Sequence, residues 1–164
     1  MGKATRRLTL SDLANPWRFL ALGFGSGLAP VAPGTFGTLM AVPLYLLLLQ
    51  LSPGLYLLFV LLAFAIGIAL CAITAKQLGV HDHPGIVWDE FVGFWITMFM
   101  APPGWLWIVL GFILFRLFDI LKPWPIRFID QRVAGGLGIM LDDVLAGIFG
   151  LVCLQLIVSW VGVV

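Results

Sequence analysis

Two carboxylate pairs, Asp89-Glu90 and Asp142-Asp143, stand beside long apolar runs in a chain with only eight acidic residues. A charged group well inside a bilayer costs on the order of 2.5–3.5 kcal/mol on the lenient insertion scale, so such acids persist mainly where they bind something. Converging carboxylate oxygens suit Mg²⁺, a hard cation that keeps several of its waters. Acids also favour the positive end of a helix dipole, and one pair alone would need no other reading. Two pairs, each expected one turn into a helix, make Asp89, Glu90, Asp142 and Asp143 the metal candidates, for one ion or two. The flanks agree: residues 85–90, GIVWDE, align with residues 138–143, GIMLDD, with Gly93 and Gly147 soon after. A true internal repeat would set two parallel helix starts face to face across a bundle.

Other groups surround these pairs. His81 and Asp82, on the connector before the first pair, have the chemistry to protonate a departing alkoxide. A solvated loop explains the same stretch, and for His83, which precedes Pro84, that is the better reading. Arg116, Asp119 and Lys122 recur at intervals of three and share one helix face, with Arg127 close behind Pro123-Trp124-Pro125. Together they suit a phosphate, Arg as a bidentate fork and Lys as a point charge. Attraction to anionic headgroups is the other use of such cations and accounts for Arg6, Arg7 and Arg132. Residues 23–38, GFGSGLAPVAPGTFGT, have the form of an anion cradle, in which Pro33-Gly34-Thr35 opens a helix and adds Gly34 and Thr35 to the phosphate candidates. The spacing Gly23-x-x-x-Gly27 equally suits close packing of membrane helices.

The elements that must position these groups are apolar. Of the 164 residues 62% are hydrophobic and 10% charged, and the mean hydropathy is +1.10, values of an integral membrane protein. A net charge of +1 gives no polyanion-binding signal, so nucleic acid is not an expected partner. Cys71 and Cys153 lie in apolar runs without metal or thiol-phosphatase spacing and read as core residues. The apolar run after Arg18 is broken by Gly23, Gly25 and Gly27, so a cleaved signal peptide is the weaker reading of this end.

Residues 1–14 form a polar tail, after which Asn15-Pro16-Trp17 caps a short helix too short to span, interfacial or re-entrant. Spans are expected over residues 35–51, 55–75, 86–101, 105–121 and 142–164, with polar connectors at 76–85 and 122–141. The expected fold is thus all-α: a multi-pass membrane helical bundle of about five spans or span-like segments, one domain over residues 1–164. All nine Lys and Arg precede the first span or lie on the two connectors and their helix ends, whereas the turns at 52–54 and 102–104 carry no charge. The positive-inside rule places the N-terminus and both connectors in the cytoplasm. The eight acids fall on the same side, so acid, base and metal chemistry gathers at one face.

Four blocks, GFGSGLAPVAPGTFGT, VHDHPGIVWDEFVGFW, RLFDILKPWPIRFID and GGLGIMLDDVLAG, resemble the motifs of the phosphatidylglycerophosphatase A family in order and separation. The resemblance implies a Mg²⁺-dependent phosphatase of the bacterial inner membrane, acting on the phospholipid phosphatidylglycerophosphate to give phosphatidylglycerol. It points to Asp82, Asp89, Glu90, Asp142 and Asp143 as acidic motif positions without giving each a role. It calls for no obligate protein partner. The reading from another class is a small transporter or channel whose intramembrane acids bind a coupling ion.

Overall fold

The computed structural model describes residues 7–80 and 82–162, over which the chain is helical with no strand. Its α-helices are α1 (Pro16–Ala21), α2 (Pro33–Leu48), α3 (Pro53–Leu78), α4 (Trp88–Thr97), α5 (Trp105–Leu121), α6 (Ile126–Arg132) and α7 (Gly135–Val161). Asn15 caps α1 as its sequence implies, accepting the N–H groups of Trp17 and Arg18 at 3.0 and 3.3 Å, with Pro16 where no N–H is needed. Arg18 pairs with buried Asp12 at 2.7 Å and reaches Gln77 at 2.8 Å, tying the N-terminal segment to the end of α3.

A 3₁₀ turn, Gly23–Leu28, follows and packs on the segment that leads into α4. A Cβ on Gly27 would collide with the Gly85 carbonyl, and one on Gly23 would meet Val87 at 2.7 Å and Phe91 at 2.9 Å. The close-packing reading therefore describes what Gly23 and Gly27 do here.

At the centre lies α4, which presents buried Phe91, Val92, Phe94 and Trp95 to α2, α3, α5 and α7. Its two indole N–H groups find backbone acceptors on neighbouring helices. Trp88 donates to the Ala63 carbonyl at 3.0 Å and Trp95 to that of Ala41 at 3.1 Å, while Tyr56 donates to the Trp95 carbonyl at 2.6 Å. The tightest crossing joins α4 to α7, where a Cβ on Gly147 would meet the Gly93 carbonyl oxygen at 2.5 Å. Thr97 bridges both helices, donating to the Gly93 and Gly147 carbonyls at 3.1 Å, and Gln155 reaches the Phe99 carbonyl at 3.0 Å. Matching positions rise together along both helices, so α4 and α7 run parallel, face to face.

Three expectations need correction. Helix α7 begins at Gly135, so Asp142 and Asp143 stand two turns into it rather than one. Glycine costs about 1 kcal/mol in a helix relative to Ala, but Gly136 lies directly on the Ile68 carbonyl and Ala72 of α3, a packing that extends the helix backwards. The polar connector expected over residues 122–141 is shorter, because it holds α6 and gives up its last residues to the first turns of α7. Finally, among the described residues only α3 and α7 are long and apolar enough to cross a membrane, fewer than the five spans or span-like segments expected. Helix α4 stops at Thr97, and Met100 at φ +58° turns the chain into Pro102-Pro103, which cannot continue a helix.

The outer surface is apolar. Leu55, Leu58, Leu61, Leu62 and Ile66 on α3, Val109 and Ile113 on α5, and Val152 and Leu156 on α7 are exposed.

Candidate active site

Asp89 and Glu90 occupy the first turn of α4, and the parallel crossing at Gly93 and Gly147 brings Asp143 of α7 up to them. Each of the three offers a carboxylate oxygen within 4.8 Å of the others. Asp89 Oδ1, Glu90 Oε2 and Asp143 Oδ2 are buried without a hydrogen-bond partner. Two unit charges 4.8 Å apart repel by about 3 kcal/mol at an effective dielectric near 20, so the trio needs a counterion.

Arg116, on the penultimate turn of α5, supplies one positive charge: its Nη1 lies 3.8 Å from Glu90 Oε1 and 2.5 Å from Asp119 Oδ2. One guanidinium, paired with Glu90 and Asp119, thus serves a group of four carboxylates, and the balance is still negative. A divalent cation fits this donor set. The oxygens are hard, several lack partners, and opposite ligands of Mg²⁺ stand about 4.2 Å apart at 2.1 Å per bond, close to the spread seen here. Arg116 also keeps donor capacity, since its Nε is buried without a hydrogen-bond partner.

Gly34 closes the site from α2. A Cβ there would overlap Glu90 Oε1 and meet the Arg116 Nη1 and Nη2 atoms at 3.0 and 3.2 Å, so only glycine leaves the two side chains where they are. Thr35 and Phe36 donate their N–H groups to the Ala32 carbonyl at 2.9 and 3.3 Å, and Pro33 has none, which leaves the Gly34 N–H as the open donor of this turn. The cradle expected over residues 23–38 narrows to that single position.

The remaining predicted residues lie elsewhere. Of the second pair only Asp143 joins Asp89 and Glu90, while Asp142 keeps one buried oxygen, Oδ1, without a hydrogen-bond partner. Asp142 meets Lys122 at 2.5 Å, and Lys122 also pairs with Asp130 of α6 at 2.8 Å. Burial alone would pull the Lys122 ammonium down, but the hydrogen bonds it donates to Asp130 and Asp142 outweigh that and hold it well above the ordinary lysine range. Arg127 is exposed on α6. Asp82 is exposed on the connector before α4, and His83 is buried there with its Nδ1 accepting the Gly85 N–H at 3.0 Å. The assignment to His81 lies outside the described residues.

One participant was not singled out in the sequence, Asp130 beside Lys122. Asp119 was signalled by its place three residues after Arg116. Asp130 had no such signal, because its contact depends on where α6 folds.

A family model described as phosphatidylglycerophosphatase A matches residues 19–158. The chain belongs to the phosphatidylglycerophosphatase A family. It is 53% identical over 137 residues to the phosphatidylglycerophosphatase A of Escherichia coli (strain K12), covering 83% of this chain and 80% of that protein. The phosphatidylglycerophosphatase A of Haemophilus influenzae is 48% identical over 151 residues, 91% of this chain and 93% of its own. A relative from Bacteroides thetaiotaomicron, provisionally named a phosphatidylinositol-3-phosphatase, is 37% identical over 87% of this chain and 92% of its own. No solved structure matches the chain. All of the clustered residues, Gly34, Asp89, Glu90, Arg116, Asp119 and Asp143, fall inside the span matched to the phosphatidylglycerophosphatase A family.

Proposed function

We propose that this chain is a Mg²⁺-dependent phosphatase that removes the terminal phosphate of phosphatidylglycerophosphate, giving phosphatidylglycerol and inorganic phosphate. One observation carries the reading: buried Asp89, Glu90 and Asp143 converge on Arg116 and Gly34, with several of their polar atoms unpartnered, in a member of this family.

The reading sets the bundle in the bacterial inner membrane as a multi-pass protein with the site at the cytoplasmic face. Its support is the apolar outer surface, the length of α3 and α7, and the charged side chains, which among the described residues stand at one end of the bundle. Helices α2 and α5, of 16 and 17 residues, reach about 24 and 26 Å and cross with help from their flanking turns. A transport role has less support, because among the described residues no charged group lies along the rest of the bundle.

Asp89, Glu90 and Asp143 would hold Mg²⁺, which when bound neutralises the phosphate and acidifies a water for attack at phosphorus. The chain's own groups do the rest. Arg116 offers its unpartnered Nε to phosphate oxygens, while Asp119 holds the guanidinium through Nη1. The Gly34 N–H adds a donor at the start of α2. As the bond from phosphorus to the glycerol oxygen breaks, that oxygen takes a proton, for which Asp82 or His81 on the connector is the candidate donor. Asp142, though a motif position, acts through Lys122 in this arrangement.

Phosphate release from phosphatidylglycerophosphate by the purified protein in detergent tests the proposal. Activity should vanish with EDTA and return with excess Mg²⁺. Phosphatidylinositol 3-phosphate belongs in the same assay, given the name of the Bacteroides relative. No phosphate release from any lipid at saturating Mg²⁺ would overturn the reading.

A further inference from the structure

We infer that the groove between α2 and α5 holds a fatty acyl chain of the lipid whose phosphate is cleaved, an inference that rests on the function proposed above. The groove encloses about 190 Å³ and is lined by Leu39, Val42, Trp105, Ile108, Val109 and Phe112, with no polar side chain. Val42 and Ile108, 7% and 6% exposed, form its floor; Leu39 and Val109, 56% and 53% exposed, form its rims. It therefore opens sideways, towards the surroundings of the bundle.

What identifies the occupant is continuity with the site. The two walls are the same two helices whose ends bring Gly34 and Arg116 together. Val42 lies eight residues beyond Gly34, and Ile108 eight residues before Arg116, each about 12 Å along its helix. The floor on both walls is thus equally far below the phosphate-binding end, as an acyl chain requires when its headgroup is held there. A second apolar groove, between α5 and α7, includes Leu106, Ile113, Ile157 and Val161. On its α7 wall this groove begins only at Ile157, 14 residues or about 21 Å beyond Asp143, so although Ile113 on α5 lies three residues before Arg116, its two walls do not descend together from the headgroup.

The test compares dioleoyl- with dihexanoyl-phosphatidylglycerophosphate in mixed micelles, reading kcat/KM for each. Leu39→Trp narrows this groove alone, and Val109→Trp narrows it from the other rim at a residue that lines both grooves; each should lower the long-chain to short-chain ratio at least tenfold. Ile157→Trp, in the deeper groove, should leave that ratio at the wild-type value. In parallel, a phosphatidylglycerophosphate with a diazirine on its acyl chain should label wild-type peptides around residues 39–42 and 105–112 rather than 157–161. An unchanged ratio in both rim variants, or labelling confined to 157–161, would overturn the acyl groove while the phosphatase stands. Wild-type protein that hydrolyses neither lipid would sink both readings.

Discussion

At the scale of single residues, the site depends on acids that have neighbours of like charge and on one glycine that leaves them room. Asp89→Asn, Glu90→Gln and Asp143→Asn remove ligand charge with little change of volume. Each should lower kcat/KM by at least about 100-fold, some 2.7 kcal/mol of transition-state stabilisation, and raise the Mg²⁺ concentration for half-maximal activity. Wild-type rates at limiting Mg²⁺ in all three would make these carboxylates structural. Arg116→Lys keeps the charge but loses the fork, and phosphate release should fall about tenfold or more. Gly34→Ala places a methyl group against Glu90 and Arg116, the groups that bind. Its kcat/KM should fall at least tenfold while the melting temperature changes little, because two side chains can yield where a backbone cannot. A variant of full activity would remove Gly34 from the site.

Between helices, two contacts set the geometry. The crossing at Gly93 and Gly147 brings backbone against backbone, so Gly147→Ala must push α4 off α7 and part Asp89 and Glu90 from Asp143. Overpacking of this kind costs about 1–3 kcal/mol, and here activity should be lost along with thermal stability in detergent. Lys122 ties the end of α5 to α6 and α7 through Asp130 and Asp142. A lysine pKa raised by folding adds stability that is complete below the ordinary value near 10.4 and is lost only as pH climbs through the higher, folded value. Lys122→Met should therefore lower the melting temperature by a similar amount at pH 7.5 and at pH 9.5. A deficit that disappeared by pH 9.5 would contradict the assignment of these two ion pairs.

For the whole molecule, the arrangement predicts sidedness. Chemistry stands at one end, and the opposite end, with the uncharged turn between α2 and α3, lies across the bundle from it. A cysteine at Ser52, in a background lacking Cys71 and Cys153, should be labelled by an impermeant maleimide from the periplasmic side of intact cells. Labelling only from the cytoplasmic side of inverted vesicles would reverse the topology. Two helices rather than five have the length to span alone, so α4 serves as a buried half-length post. On the proposed membrane placement the acids at its first turn stand at the headgroup level, while its aromatic face fills the centre of the bundle.

Much of this was legible in local chemistry. Gly104 and Lys122-Pro123 bracket α5 at residues 105–121, the expected limits, and Asn15-Pro16 starts α1 where a cap and a ring-locked φ favour a helix. One-sided charge and the two acidic pairs were equally visible, since burial of charge is costly wherever the chain goes. Tertiary structure alone decided which acid of the second pair faces the first. Asp142 and Asp143 are adjacent and chemically alike, and the choice between them turns on the rotation of α7, set by Gly147 against Gly93 and Gly136 against α3. It also decided that Lys122 is occupied by two carboxylates, and that Gly34 is less a cradle than a space. Such facts depend on how distant helices meet, and spacing along one helix carries no record of that.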